Sequence, residues 1–403
     1  MQSHSARLNI QYAVINGLFL ALACGTMGFA ANFLLGKGMS NSLLGIVLTL
    51  VSVVSAVFQA VFAPVIDRSD TVSEKKFIAI SLAIAVAGSI LLLLVNNLWL
   101  LVPVVIVTYA SSTVGMPFLN SIAFLYEKEG VSINYGVSRG IGSATYAVAG
   151  WVFGQFLIAH SPALLPWFYI GLGSLALVAV LTLPNPSPLA EADAAHAQDE
   201  QAGRSLSYPE FFRKYRVLAI AFCGMVLIYF CHMIINNFMI NVVAAIVGAN
   251  GASGYQGTAV FIQAMVELPT MFLFAQIMKK FSIDRLMAFA AVMYTVKHLT
   301  VLASVATGSI ALYYAAMVMQ MISYAVLVPG SVYFANEVCD KHDLNKGQST
   351  MALSTTIGGL FASFVGGLLF DAMPVAGVLT VGAAASAIGT VLVVLAMRSR
   401  AKE

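Results

Sequence analysis

The sequence predicts an all-α integral membrane protein of twelve transmembrane helices in two pseudo-symmetric six-helix halves, and three observations predict it. Only 9% of the 403 residues are charged and 60% are hydrophobic, with a mean hydropathy of +0.90, whereas a soluble domain carries about 25% charged residues. Apolar runs of about 20 residues recur along the whole chain, and a helix of about that length crosses roughly 30 Å of hydrocarbon. Finally, the basic residues gather on one set of alternate connections.

In order, spans are expected near residues 10–35, 42–66, 76–96, 98–126, 136–159, 165–184, 217–247, 255–278, 283–305, 309–337, 348–370 and 375–397, each bounded by Gly, Pro or charged turns. Arg7, Arg68, Lys75, Lys76, Lys128, Arg204, Arg213, Lys214, Arg216, Lys279, Lys280, Arg285, Lys341, Lys346, Arg398, Arg400 and Lys402 then fall on alternate loops or the termini, and Lys37 alone falls opposite. By the positive-inside rule both termini and the central loop are expected in the cytoplasm, with the chain multi-pass in a cytoplasmic (inner) membrane. The domain division follows: an N-terminal half over 1–184, a linker over 185–216 rich in Pro, Ala and acid, and a C-terminal half over 217–403. The linker ends in YPEFFRKYR, whose mixed aromatics and bases predict a short interfacial helix.

The N-terminus lacks a basic region, short apolar core and small-residue cleavage site, so no removable signal is expected. Cys24, Cys223, Cys231 and Cys339 have no metal-like spacing and read as apolar filler. No phosphate-binding Gly-rich loop, metal cluster or soluble catalytic domain emerges, which argues against an enzyme and an ATP-driven pump. No cofactor is expected beyond a proton as coupling ion, and no basic patch beyond the loops suggests nucleic acid. The expected partners are a small-molecule substrate, the proton and the lipid bilayer, with the chain a monomer.

Against this apolar background a few ionisable residues stand out. Glu267 lies about 13 residues into the eighth span and Lys297 about 14 into the ninth, so at about 1.5 Å per residue both sit near mid-membrane on adjacent helices. A charge at that depth costs about 2.5–3.5 kcal/mol on insertion scales, so it reads as functional and partnered. Withdrawal of Lys297 would let Glu267 take up a proton, which makes the pair a candidate proton switch; a permanent structural ion pair is the plainer alternative. His298 points about 100° away from Lys297 and reads first as a hydrogen-bonded core histidine, second as a substrate contact.

Arg139 opens the fifth span with a fork suited to hydroxyls or carboxylate, or to anchoring at lipid phosphates. Tyr146 lies two turns along the same face and either walls a site or packs. Asn16, Asn32, Gln59, His232, Asn236, Asn237, Asn241 and Gln263 are polar in or near spans. Singly each is helix-to-helix glue worth about 0.6 kcal/mol, although Asn236, Asn237 and Asn241 cluster in the seventh span.

Several segments resemble the major facilitator superfamily, and within it the lactose-permease-like proton symporters. SLLGIVLTLVSVVSAVFQAVFAPVIDR, Ser42 to Arg68, resembles that branch's second helix in Gly45, Phe58–Gln59 and Asp67–Arg68, and its loop is similar to a degraded G-x-L-x-D-R-x-G-R-K signature. GMPFLN, Gly115 to Asn120, resembles a helix-4 motif with Asn120 where the family has an acid. YGVSRGIGSATYA, Tyr135 to Ala147, resembles the helix-5 motif whose Arg binds sugar and whose aromatic stacks on it, places taken by Arg139 and Tyr146. GYQGTAVF, Glu267 and MYTVKHL resemble the helix 8–9 pattern in which a Glu faces the cavity, with Lys297 replacing an Arg that helps control proton release. IGGLFASFVGGLLFD, Ile357 to Asp371, resembles a small-residue helix-11 motif. The family's helix-10 His and Glu have no counterpart in MVMQMISYAVLVP.

The resemblance implies a proton-coupled symporter of a small polar solute, a sugar, oligosaccharide or nucleoside, working by alternating access. Glu267 and Lys297 would couple the proton. Arg139, Tyr146, Asn120, Asn236, Asn237, Asn241, Gln263 and His298 would line the substrate path, and Asp67, Arg68 and Asp371 would gate it. An organic-anion symporter, favoured by Asn120 replacing the acid, and a proton-driven efflux antiporter stand as alternatives. A non-transporting sensor would leave the buried charges without a use.

Overall fold

The computed structural model describes residues 2–67, 73–128, 131, 133–184 and 206–400. Twelve of its helices are long and apolar enough to cross a membrane. They are α1 (Ala6–Gly28), α2 (Asn41–Ile66), α3 (Glu74–Leu94), α4 (Leu98–Glu127), α5 (Tyr135–Ala159), α6 (Pro162–Thr182), α7 (Arg216–Asn237), α8 (Ala252–Met278), α9 (Ile283–Thr307), α10 (Ile310–Val338), α11 (Leu344–Ala372) and α12 (Val375–Arg400). Lipid offers no hydrogen bonds, so a spanning backbone must satisfy itself, and the α-helix is the form that does so within one segment.

Four spans depart from simple continuity, and α4 is one of them, Leu98–Val114 giving way at Gly115 to Met116–Lys128. The first, expected over 10–35, widens into a π-helical turn at Cys24–Gly28 before a separate short helix, Ala30–Gly36. Tyr169 Oη donates to the Gly25 carbonyl there at 2.9 Å, so the irregular turn keeps a donor inside the protein. The seventh, expected over 217–247, stops at Asn237, and a second helix runs Met239–Val247 after Phe238. The tenth tightens into a 3-10 turn at Met319–Ile322.

The chain forms two compact units. One comprises residues 1–39 and 47–202, and the other residues 40–46 and 203–403, so the first turns of α2 group with the second unit. In the first unit α1 packs on α5 and α6, and α3 packs on α4 and α6. Its interior holds large rings, among them Tyr12, Phe19, Phe29, Tyr109, Phe153 and Tyr169, all buried. Where hydrocarbon is the solvent, apolar side chains also face outwards, as Leu94, Trp99, Val107 and Trp167 do.

In the second unit α7 packs on α11 and α12, and α9 packs on α10 and α12. Leu218, Met225, Ile228, Met287, Ala290 and Val393 belong to its apolar core. The aromatic-basic stretch forms a short helix, Tyr208–Lys214. Glu210 starts it, its Oε2 accepting from the Ser207 nitrogen at 2.9 Å and the Ser207 hydroxyl at 2.6 Å. Lys214 fastens its end to the loop before α11, pairing with Asp340 at 2.7 Å and Asp343 at 2.8 Å. Tyr215 Oη lies 3.1 Å and 2.7 Å from the same two carboxylates, so its one proton is shared between them. These bonds hold both carboxyls below the usual range and raise the Lys214 ammonium above its ordinary value.

Candidate functional site

The described polar interior of the second unit centres on Lys297. The side chain is 1% exposed on α9, and its Nζ donates to Oε1 of Gln320, itself buried. The 3-10 turn at Met319–Ile322 carries Gln320, and Lys297 Nζ lies 5.9 Å from the Tyr294 ring centroid, within cation–π reach. Glu267 on α8 interacts electrostatically with Lys297 and with Tyr294. The expected pair therefore belongs to one neighbourhood, but the direct partner of the ammonium is a neutral amide. Two residues beyond Glu267, Pro269 lacks an N–H, so the Met265 carbonyl loses its helical donor one turn back.

Two buried histidines adjoin this lysine. His298 Nδ1 lies 2.8 Å from Ser386 Oγ of α12, and Thr295 meets Ser386 and Thr390 at 3.0 Å and 2.8 Å, so hydroxyls tie α9 to α12. His232 on α7 lies beneath the Tyr324 ring, centroids 5.5 Å apart, and edge-on to Tyr294 at 5.4 Å. The two imidazole centroids are 6.4 Å apart. His232 Nδ1, His298 Nε2 and Tyr294 Oη are buried without a hydrogen-bond partner among the described residues.

The three asparagines of the seventh segment make separate hydrogen bonds. Asn236 Nδ2 lies 2.9 Å from His232 Nε2, and Gln263 Nε2 reaches Asn236 Oδ1 at 3.4 Å. Asn237 instead donates to Ser363 Oγ of α11 at 2.9 Å. Asn241 donates to Asn41 Oδ1 at 2.6 Å. The break at Phe238 sends Asn241 onto a new helix, which is why sequence spacing grouped residues that point apart.

Asp371, at the end of α11, accepts from the backbone nitrogens of Asn41 at 3.1 Å and Ser42 at 2.8 Å, and from Asn41 Nδ2 at 3.0 Å. It thus caps the start of α2 from another helix. Asp67 ends a helix at the far end of α2, but its side chain and all of Arg68 lie outside the described residues.

In the first unit Arg139 is exposed, and its Nη1 donates to Ser143 Oγ at 3.1 Å, one turn along α5. Tyr146, two turns on, hydrogen-bonds with the Cys24 thiol of the π turn, and its hydroxyl sits where a Cβ on Gly28 would come within 2.9 Å. Asn120 is half-buried, with Oδ1 unpartnered among the described residues.

Sequence reasoning passed over Gln320, Tyr294, Tyr324 and Ser386 as site members. None of the four is charged, and against an apolar span charge is the feature that stands out. A glutamine among the methionines of MVMQMISYAVLVP was the available clue to Gln320.

These features define a multi-pass integral membrane protein that is a secondary transporter rather than an enzyme, with a polar cluster held inside a helical bundle. The family profile described as "MFS_1 like family" matches residues 10–378, and the chain belongs to that family, within the major facilitator superfamily. No curated protein sequence matches it. Among solved structures it is similar to a substituted form of the nucleoside transporter NupG, with TM-score 0.81 and 15% identity over 96% of this chain and 99% of that one. It is also similar to a peptide transporter, POT, with TM-score 0.71 and 11% identity over 98% and 94%. A bacterial homologue of the iron transporter ferroportin follows with TM-score 0.66 and 13% identity over 97% and 99%. At these identities the likeness is one of fold.

Proposed function

We propose that the protein is a proton-coupled symporter of a small polar organic solute, a sugar, oligosaccharide or nucleoside, that works by alternating access in a cytoplasmic membrane with both termini inside. The observation that carries this reading is the buried Lys297 ammonium within electrostatic reach of Glu267. A structural lysine would serve as well with a fixed ion pair. Here the ammonium rests on neutral Gln320, so Glu267 can gain or lose a proton without removing its neighbour's hydrogen bond. Glu267 carries the coupling proton, and Lys297 tunes its release. In the second unit Asn236 and Gln263 are the solute contacts and Asp371 serves the gate; Arg139, Tyr146 and Asn120 are the candidates of the first unit taken by itself. Nucleosides are the first class to test, because a nucleoside transporter shares the fold.

A second reading, an organic-anion symporter, has one observation in its favour. Arg139 has no acidic partner among the described residues; Nη1 donates to the Ser143 hydroxyl, and the remaining guanidinium donors suit a carboxylate.

The test is a thermal-shift screen of nucleosides, neutral sugars and small organic acids at two pH values on the purified protein. A ligand raises the melting temperature by mass action. Stabilisation by neutral solutes that depends on pH supports the symporter, and pH-dependent stabilisation by acids alone supports the second reading. A pH-independent response to every solute that binds contradicts both.

A further inference from the structure

The hydrogen bonds around His232 have a direction, and the direction carries information. Gln263 Nε2 donates to Asn236 Oδ1 at 3.4 Å, and Asn236 presents its Nδ2 to His232 Nε2 at 2.9 Å. An amide N–H can donate only to a ring nitrogen with a lone pair, so the imidazole proton must sit on Nδ1. The chain ends at Gln263 Oε1, a buried acceptor without a partner among the described residues. Gln263 stands one helical turn from Glu267, at i and i+4 on the same face of α8.

We propose that His232 is a second proton-binding group, and that the two amides transmit its protonation state to Gln263. When a proton from solvent binds the Nε2 lone pair, both ring nitrogens become donors. Asn236 must then turn its Oδ1 towards the ring, which swings its NH2 towards Gln263. Gln263 answers by presenting Oε1 to Asn236, and its NH2 takes the place Oε1 had. One N–H bond forms and no other covalent bond changes, yet the free end of Gln263 switches from acceptor to donor. Release of the proton reverses both flips.

The surroundings set what this proton competes with. On α7 itself Tyr229 lies 6.4 Å from the His232 ring, and from α9 come Tyr294 and His298. Lys297 of α9 interacts with His232 electrostatically, Tyr324 of α10 stacks on it, and Glu267 of α8 is the acid that acts on Lys297. A second cation beside Lys297 in a buried cluster is repelled by it, so proton occupancy at His232 answers to the charge on Lys297. This gives the proposed symporter a way to make solute hydrogen bonding depend on the proton. Only that use rests on the symporter reading; the chemistry of the chain does not.

The test is nitrogen NMR on the full-length protein, 15N-labelled at histidine, in lipid nanodiscs at alkaline pH, with His232→Gln assigning the signal. The wild-type ring is expected to carry its proton on Nδ1. In Gln263→Glu the carboxylate only accepts, so Asn236 must donate to it and offer Oδ1 to the ring, and the proton is expected to move wholly to Nε2. Asn236→Asp imposes the same change directly and serves if the first variant does not fold. A wild-type proton on Nε2, or one that stays on Nδ1 in whichever of these variants folds, overturns the proposal. The measurement needs neither solute nor gradient, so its failure leaves the symporter reading standing, and loss of proton-coupled uptake would leave the NMR result standing.

Discussion

Asp371 accepts a hydrogen bond from the backbone nitrogen of Ser42 at 2.8 Å, although the two are 329 positions apart. The first N–H groups of a helix have no partner within it, and a carboxylate there is favoured by the helix dipole as well. The start of α2 is thus capped by the end of α11.

Asp371→Ala should cost about 0.5–2 kcal/mol, the usual loss for a removed cap. Hydrogen exchange is the check. Protection should fall at residues 41–46 while the α7–α12 contact keeps its own, and Asp371→Asn should retain part of it.

The same segment comes close to α11 at a pair of glycines. A Cβ on Gly45 would meet the Ser363 carbonyl oxygen at 2.2 Å, and one on Gly367 would meet the Asn41 carbonyl at 2.5 Å. Backbone cannot yield as a flexible side chain does. Gly45→Leu should therefore destabilise by about 1–3 kcal/mol through overpacking, seen as a lower thermal midpoint in detergent. Gly38→Leu is no control, since Gly38 has φ +87 and is strained for another reason. Gly171→Leu, with nothing within 4 Å of a built Cβ, is the right one and should be near neutral.

The brace at Lys214 predicts a pH window. Asp340 and Asp343 are held below the ordinary carboxylate range by Lys214 first and Tyr215 second. Their folded values lie below their unfolded ones, so their contribution is complete above the unfolded value and is lost as pH falls through the folded one. Lys214 is raised by the same partners, so its contribution is complete below the ordinary lysine value and is lost as pH rises through its folded one. Protection of the helix Tyr208–Lys214, after correction for intrinsic exchange, should be flat around neutrality and fall in acid. Asp343→Asn should lower it at neutral pH and reduce the acid dependence.

Lys297 and Gln320 form a couple that should be tested together. Gln320→Leu leaves a buried ammonium without its hydrogen-bond acceptor and should cost about 1.5–3 kcal/mol, the range for bonds to charged groups. Lys297→Met combined with Gln320→Leu removes both needs and should regain most of that stability. Denaturation of the single and double variants in detergent closes the cycle.

The twelve helices were legible because a span is announced by length and apolarity alone, and α3, α8 and α9 lie within a few residues of where hydropathy puts them. Interruptions were not. The π turn at Cys24–Gly28, where Tyr169 donates to the Gly25 carbonyl, the break at Phe238 and the 3-10 turn at Met319–Ile322 all fall inside runs that hydropathy reads as continuous. Charge made Glu267 and Lys297 visible, and helical rise put them at one depth. Gln320 was not visible, because a neutral amide costs little enough in a span to pass as glue. Asn236, Asn237 and Asn241 illustrate the converse: adjacency in sequence suggested one site, while the local geometry gives them three separate partners.

Glu267 as the carrier of the coupling proton is the central claim, and solute-driven proton uptake tests it most directly. Proteoliposomes holding wild type or Glu267→Gln, loaded with a pH indicator, would be challenged with whichever solute the thermal-shift screen identifies. Wild type should acidify its lumen on solute addition, while Glu267→Gln should still exchange labelled for unlabelled solute but move no protons and accumulate none against a gradient. Proton movement and accumulation undiminished in Glu267→Gln would contradict the account.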